Sequence, residues 1–207
     1  VWRAPVAYLH AHLRPGYRVE AVDTTDHWPA YYLASASIPL ARGWFRQDDF
    51  PQNALLYSRL GPRAYTAWLR SLGVRYVVLT NAPPDYSSRG EVSLLRSGRT
   101  KFRLVFASAT TTIYEVPHAE GIVTGPAHPI VTSLTESHVA VRVNAPGTYR
   151  VAVRWSPYWK ASTGCLTPRR DGMIDLHTSR AALVRLAFNV NASRALAAVT
   201  GAKPDCD

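Results

Sequence analysis

The chain has 207 residues, 47% of them apolar and 18% charged, with a formal net charge of +10. That length supports one large domain or two small ones, each with its own core, and the composition excludes disorder over most of the chain. The longest uncharged stretch near the N-terminus, Pro29 to Ala41, falls well short of the ~20 residues that a spanning helix needs.

The first segment, Trp2 to Leu13, spaces Val6, Leu9 and Leu13 as a short helix would, and Pro15-Gly16 ends it. Tyr17 to Val22 alternates as a strand. Thr24 to Asn53 is irregular and aromatic, with a helical turn or two expected over Ala30 to Ser37. A connection of this length is usually functional or packed on a partner. Helical spacing returns with Pro62 in a first turn, then Tyr65, Trp68, Leu69 and Leu72, with Gly73 as the C-terminal cap. Val74 to Thr80 is a nearly continuous apolar run, as in a strand covered on both faces. A helix from Ser88 to Ser97 and strands at Phe102 to Ala107 and Thr111 to Val116 complete a small α/β layer.

Beyond Pro117 the pattern becomes all-strand. Ile130 to Thr135, His138 to Asn144, Thr148 to Trp155, Met173 to His177 and Leu183 to Val190 alternate, with turn residues between them. The clearest is Thr148 to Trp155, where Tyr149, Val151, Val153 and Trp155 should face a core and Arg150 and Arg154 should face water. Ser193 to Val199 reads as a closing helix. The sequence therefore predicts an α+β chain: an N-terminal α/β domain over residues 1–118, then an antiparallel β-sandwich over 119–207, immunoglobulin-like or jelly-roll-like, with the boundary near His118 to Gly121.

The basic residues are almost all arginine, only Lys101, Lys160 and Lys203 being lysine. They are dispersed along the predicted elements, with Arg169-Arg170 the sole adjacent pair. A nucleic-acid binder concentrates such charge on one helix or stripe, so nucleic acid is not an expected partner. Two cysteines are too few for a zinc site. Cys165 and Cys206 both lie in polar, loop-like sequence and are expected to form a disulfide. Asp23, Asp26 and His27, just after a strand, have the residue types of an acid/base or metal cluster, although capping or solvated roles are commoner for such residues. G-x-S-x-G, G-x-G-x-x-G and the P-loop signature are absent, and no cofactor is expected.

Three stretches, RGWFRQDDFPQNALLY (Arg42 to Tyr57), YTAWLRSLGVRYVVL (Tyr65 to Leu79) and GTYRVAVRWSPYWKA (Gly147 to Ala161), resemble the C-terminal extracytoplasmic region of large polytopic bacterial membrane proteins. These are the YfhO-like and 6-pyruvoyl-tetrahydropterin-synthase-related membrane proteins, which are similar to the GT-C superfamily of glycosyltransferases. The resemblance implies a piece of a longer protein, on the extracytoplasmic face of the cell membrane, whose partners are the transmembrane portion of the same polypeptide and a glycan or polyprenyl-phosphate sugar. In such enzymes the catalytic acid lies between early transmembrane helices, so no catalytic residue carries over to this chain. No zinc-binding histidine set is present, so the pterin-synthase name carries no activity with it.

Within that reading the aromatic stretch from Trp28 to Phe50 is the expected contact surface. Trp44 lies between Arg42 and Arg46, which suit a sugar phosphate; the structural alternative packs Trp44 into the α/β core and pairs the arginines with Asp48 and Asp49. Two rival functions are a stand-alone carbohydrate-binding module using Tyr158, Trp159 and Trp44, and a hydrolase using Asp23, Asp26 and His27.

Overall fold

The computed structural model describes residues 1–43, 50 and 52–190. The chain forms two compact units, Val1–Glu120 and Gly121–Asp207, and is α+β with three four-stranded sheets among the described residues.

In the first unit, helix α1 (Arg3–His12) leads to strand β1 (Arg18–Ala21) and helix α2 (Trp28–Ser35). A short 3-10 turn (Ala54–Tyr57) precedes α3 (Pro62–Ser71) and β2 (Val74–Thr80). A second 3-10 turn (Tyr86–Ser88) runs into α4 (Arg89–Arg96), followed by the hairpin β3 (Arg103–Ala107) and β4 (Thr111–Glu115). The sheet order is β1-β2-β4-β3, with β1 and β2 parallel and the other pairs antiparallel. Parallel neighbours need a long crossover, which α2, α3 and the segments between them supply.

Period-2 alternation gives β1 two faces. Val19 and Ala21 join Leu9, Leu33, Ile38, Tyr76, Val78 and Ile113 in one core, whereas Glu20 points the other way, toward α3 and α4. The α3 boundaries follow the sequence signals: Pro62 occupies the first turn, and Gly73 takes φ +74° while donating its N–H to the Arg70 carbonyl. That left-handed backbone is cheap for glycine alone. After α2 the chain runs back beside β1, where Val19 N–H donates to Pro39 O at 2.8 Å and Ala41 N–H donates to Val19 O at 2.9 Å. This pairing delivers Arg42 to the Glu20 face.

The second unit is a sandwich. One sheet is β10 (Cys165–Pro168), β11 (Met173–Thr178), β8 (Gly147–Arg154) and β5 (Val123–Thr124); the other is β6 (Ile130–Leu134), β7 (His138–Val143), β12 (Ala182–Phe188) and β9 (Trp159–Ala161). All described pairings in this unit are antiparallel. Tyr149, Val151, Ile174 and Leu176 from the first sheet meet Val139, Val141, Val184 and Leu186 from the second in one core.

On β8 the expected alternation needs correcting at its C-terminal end. Ile174 pairs with Val151 but Met173 pairs with Arg154, so β8 carries two extra residues there. The bulge turns Ala152 into the core, leaves Val153 and Trp155 partly buried, and keeps Arg154 outside. Arg150, expected in water, is only half-exposed because it pairs with Asp171. Trp159 opens strand β9. The closing helix expected over Ser193 to Val199 lies outside the described residues.

Candidate functional site

In open sheets, ligands gather at the carboxyl ends of parallel strands, and here those ends are β1 and β2. The loops that follow them are tied together: Asp85 N–H donates to Asp23 O at 3.1 Å, Thr25 N–H to Pro83 O at 3.1 Å, and Asp23 N–H to Ser88 Oγ at 3.2 Å. The buried Asp23 carboxylate meets His27 Nδ1 at 2.5 Å. His27 itself sits in the left-handed region, φ 58°, as the residue before α2. The geometry thus joins Asp23 and His27 and leaves Asp26 exposed in the turn between them. A carboxylate that fixes one imidazole nitrogen leaves the other to exchange a proton with a ligand. The neighbouring hydroxyl, Ser88, is fully buried and accepts from the Asp23 N–H, so it is not presented as a nucleophile. Among the described residues no group of three or more His, Cys, Asp and Glu is placed to hold a metal ion.

Arg42, expected to face a phosphate, is buried. Its Nε donates to Glu20 Oε1 at 2.6 Å, and its Nη2 donates to Glu91 Oε2 at 2.5 Å and to Ser88 Oγ at 3.2 Å. Tyr65 OH donates to Glu91 Oε1 at 2.9 Å, and the guanidinium lies 6.0 Å from the Trp68 ring centre. A guanidinium enclosed in this way between two fully buried carboxylates is a scaffold group. Trp44, Arg46, Asp48 and Asp49 lie outside the described residues.

The aromatic residues of α2 are presented to solvent. Trp28, Tyr31 and Tyr32 are 50%, 59% and 40% exposed. Trp28 and Tyr32 each meet Tyr31 edge-on, at 5.9 and 5.3 Å between centroids, and Trp2 stacks on Tyr32 at 5.6 Å with 21° between the planes. Trp2, Arg3, Val6, Tyr32 and Ser35 line a groove of about 550 Å³ alongside. Across the strand ends, Phe50 and Tyr86 are exposed and each packs against Tyr57. In the second unit, by contrast, Tyr158 and Trp159 meet Phe188 at 69° and 67° between planes, and Trp159 packs on the sandwich core. Both residues are only partly exposed.

Sequence reasoning missed Trp2, Glu20, Glu91 and Tyr65 as members of these clusters. The carboxylates did leave a trace. Glu20 stands between Val19 and the apolar pair Ala21-Val22, and Glu91 shares a helix face with Leu94 and Leu95 at i+3 and i+4, where a solvated acid would not be placed. Cys165 is not a free thiol, and Cys206 lies outside the described residues. No family model, no curated protein and no solved structure matches the chain.

Proposed function

We propose that this chain is an extracytoplasmic accessory domain of a multi-spanning, glycosyltransferase-like membrane protein of the bacterial cell envelope, and that it holds a glycan against the aromatic face of α2. The observation that carries the glycan contact is the exposure of Trp28, Tyr31 and Tyr32 beside Trp2. Aromatic faces stack on the C–H surfaces of sugar rings, and burying them in that way recovers part of the cost of exposing them. The Asp23–His27 pair at the head of α2 supplies an oriented imidazole to a sugar hydroxyl. Membership of a larger envelope protein rests on the resemblance of Arg42 to Tyr57, Tyr65 to Leu79 and Gly147 to Ala161 to such proteins. A Cys165–Cys206 disulfide belongs to the same reading, since such bonds persist outside the cytoplasm.

The test is a titration of the chain with soluble gluco-, manno-, galacto- and arabino-oligosaccharides, followed by tryptophan fluorescence. Saturable binding to one of them that weakens tenfold or more in Trp28→Ala and Tyr31→Ala, with unchanged melting temperature, is expected. Binding that is absent for all four, or unaltered in both variants, refutes the glycan contact. The Asp23–His27 geometry also favours a second reading, acid/base hydrolysis of a glycoside. Loss of chromogenic-glycoside turnover in His27→Gln would establish it, and no turnover by the parent chain would exclude it for the glycosides tried.

A further inference from the structure

The sandwich has two outer faces of different electrostatic character. On the β8–β11 face two arginines are paired with acids: Arg150 Nε meets Asp171 Oδ2 at 3.0 Å, and Arg169 reaches Asp171 at 3.4 Å and Asp175 at 3.0 Å. On the β6-β7-β12-β9 sheet, alternation sends Val139, Val141, Val143, Val184 and Leu186 inward, and therefore Arg142, Leu183 and Arg185 outward. Lys160 stands opposite Ala187 on the adjoining strand. Arg142, Arg185 and Lys160 are all exposed, and among the described residues none of them meets a carboxylate. The nearest acid in sequence, Glu136, is at the tip of the β6–β7 hairpin and also makes no ion pair among those residues.

The register places the three cations in line. Arg142 pairs with Leu183 and Arg185 with Ala140, while Lys160 pairs with Ala187. Successive members are thus diagonal neighbours across adjoining strands, roughly 7–8 Å apart. The row at one end of this stripe runs Ile130, Arg142, Leu183, and its two aliphatic members are 56% and 40% exposed.

We propose that this sheet face docks onto the surface of a bilayer rich in anionic phospholipid. Uncompensated arginine and lysine are attracted by a negative headgroup layer, and cations on one face of a sheet can approach such a surface together. The two aliphatic side chains decide between lipid and a soluble polyanion. A polysaccharide offers Ile130 and Leu183 little, whereas the boundary between headgroups and acyl chains takes up apolar side chains that flank basic ones. This inference does not depend on the glycan reading, which concerns the other unit.

The experiment is co-sedimentation of the full 207-residue chain with vesicles of phosphatidylcholine alone and of phosphatidylcholine mixed with phosphatidylglycerol, at low and at physiological salt. Binding should require phosphatidylglycerol and weaken with salt. Arg142→Gln, Arg185→Gln and Lys160→Gln should each lower the partition coefficient about fivefold. Ile130→Asn should weaken binding at both salt concentrations, because its part is not electrostatic. Arg169→Gln, at an arginine already paired with Asp171 and Asp175, should leave binding unchanged, and melting curves confirm that each variant is folded. Equal partition onto the two vesicle types would overturn the proposal, as would retention of binding in the three cation variants. So would capture by a soluble acidic polysaccharide with no sedimentation on either vesicle.

Discussion

Arg42 is the side chain whose role changes most between sequence and structure. Beside tryptophan and a second arginine it reads as a phosphate contact, yet its donors go to Glu20, Glu91 and Ser88. Linear neighbours cannot reveal this, because the partners lie 22, 46 and 49 positions away. Arg42→Ala removes a positive charge from between two buried carboxylates and should cost about 3–5 kcal/mol. Urea unfolding measures it, and a loss under about 1 kcal/mol would rule out the scaffold role. Tyr65 carries a pH signature of the same cluster. Burial, then the Glu91 and Glu20 charges and the hydrogen bond to Glu91, hold its hydroxyl well above the usual value of 10.0. The folded protein therefore keeps a proton that the unfolded chain releases near pH 10. Tyr65's contribution is intact below that pH and is lost as pH rises toward the folded value. The urea midpoint should fall above pH 10, and it should fall less steeply in Tyr65→Phe, which already lacks the hydrogen bond at neutral pH. Parallel slopes for the two proteins would refute the assignment.

At the scale of elements, legibility follows length and periodicity. Helices α3 and α4, strand β2 and the alternating strands β7, β8 and β12 each cover at least six residues, enough for a period to show. Strands β5, β9 and β10 have two, three and four residues; no alternation is visible at that size, and long-range pairing defines them. The β8 bulge was hidden for a related reason, since an inserted pair of residues leaves the alternation of the sequence intact while changing which partner each residue faces. The centre of β8 nevertheless keeps its expected polarity. Val151 is fully buried, and Val151→Ala should cost about 1–3 kcal/mol through lost transfer energy and a residual cavity. Arg150→Ala, which breaks one partly exposed ion pair, should cost under about 1 kcal/mol. Chemical denaturation of the two variants makes the comparison, and equal losses would contradict the assignment.

For the molecule as a whole, composition and pattern pointed to two folded units and α+β structure, whereas the sites depend on juxtapositions that no single segment carries. Asp23 and His27 were legible, together with Asp26, as one cluster because the three lie within five consecutive positions. The Glu20, Arg42, Tyr65 and Glu91 cluster was not, because it spans most of the first unit. The disulfide belongs to this scale too. A Cys165–Cys206 bond would close a loop of roughly 40 residues and contribute on the order of 3–4 kcal/mol in the chain-entropy account. Thiol titration of the denatured, unreduced protein should find no reactive thiol, and two per chain would refute the bond. The ion cluster has a further consequence, for how the first unit is made. Its members come from β1, the segment after α2, α3 and α4, so each early contributor waits on a late one. A chain emerging from synthesis can pair Arg42 with Glu20 but cannot complete the contacts of Arg42 with Glu91 still inside. The N-terminal unit should accordingly gain its stability in one late, cooperative step.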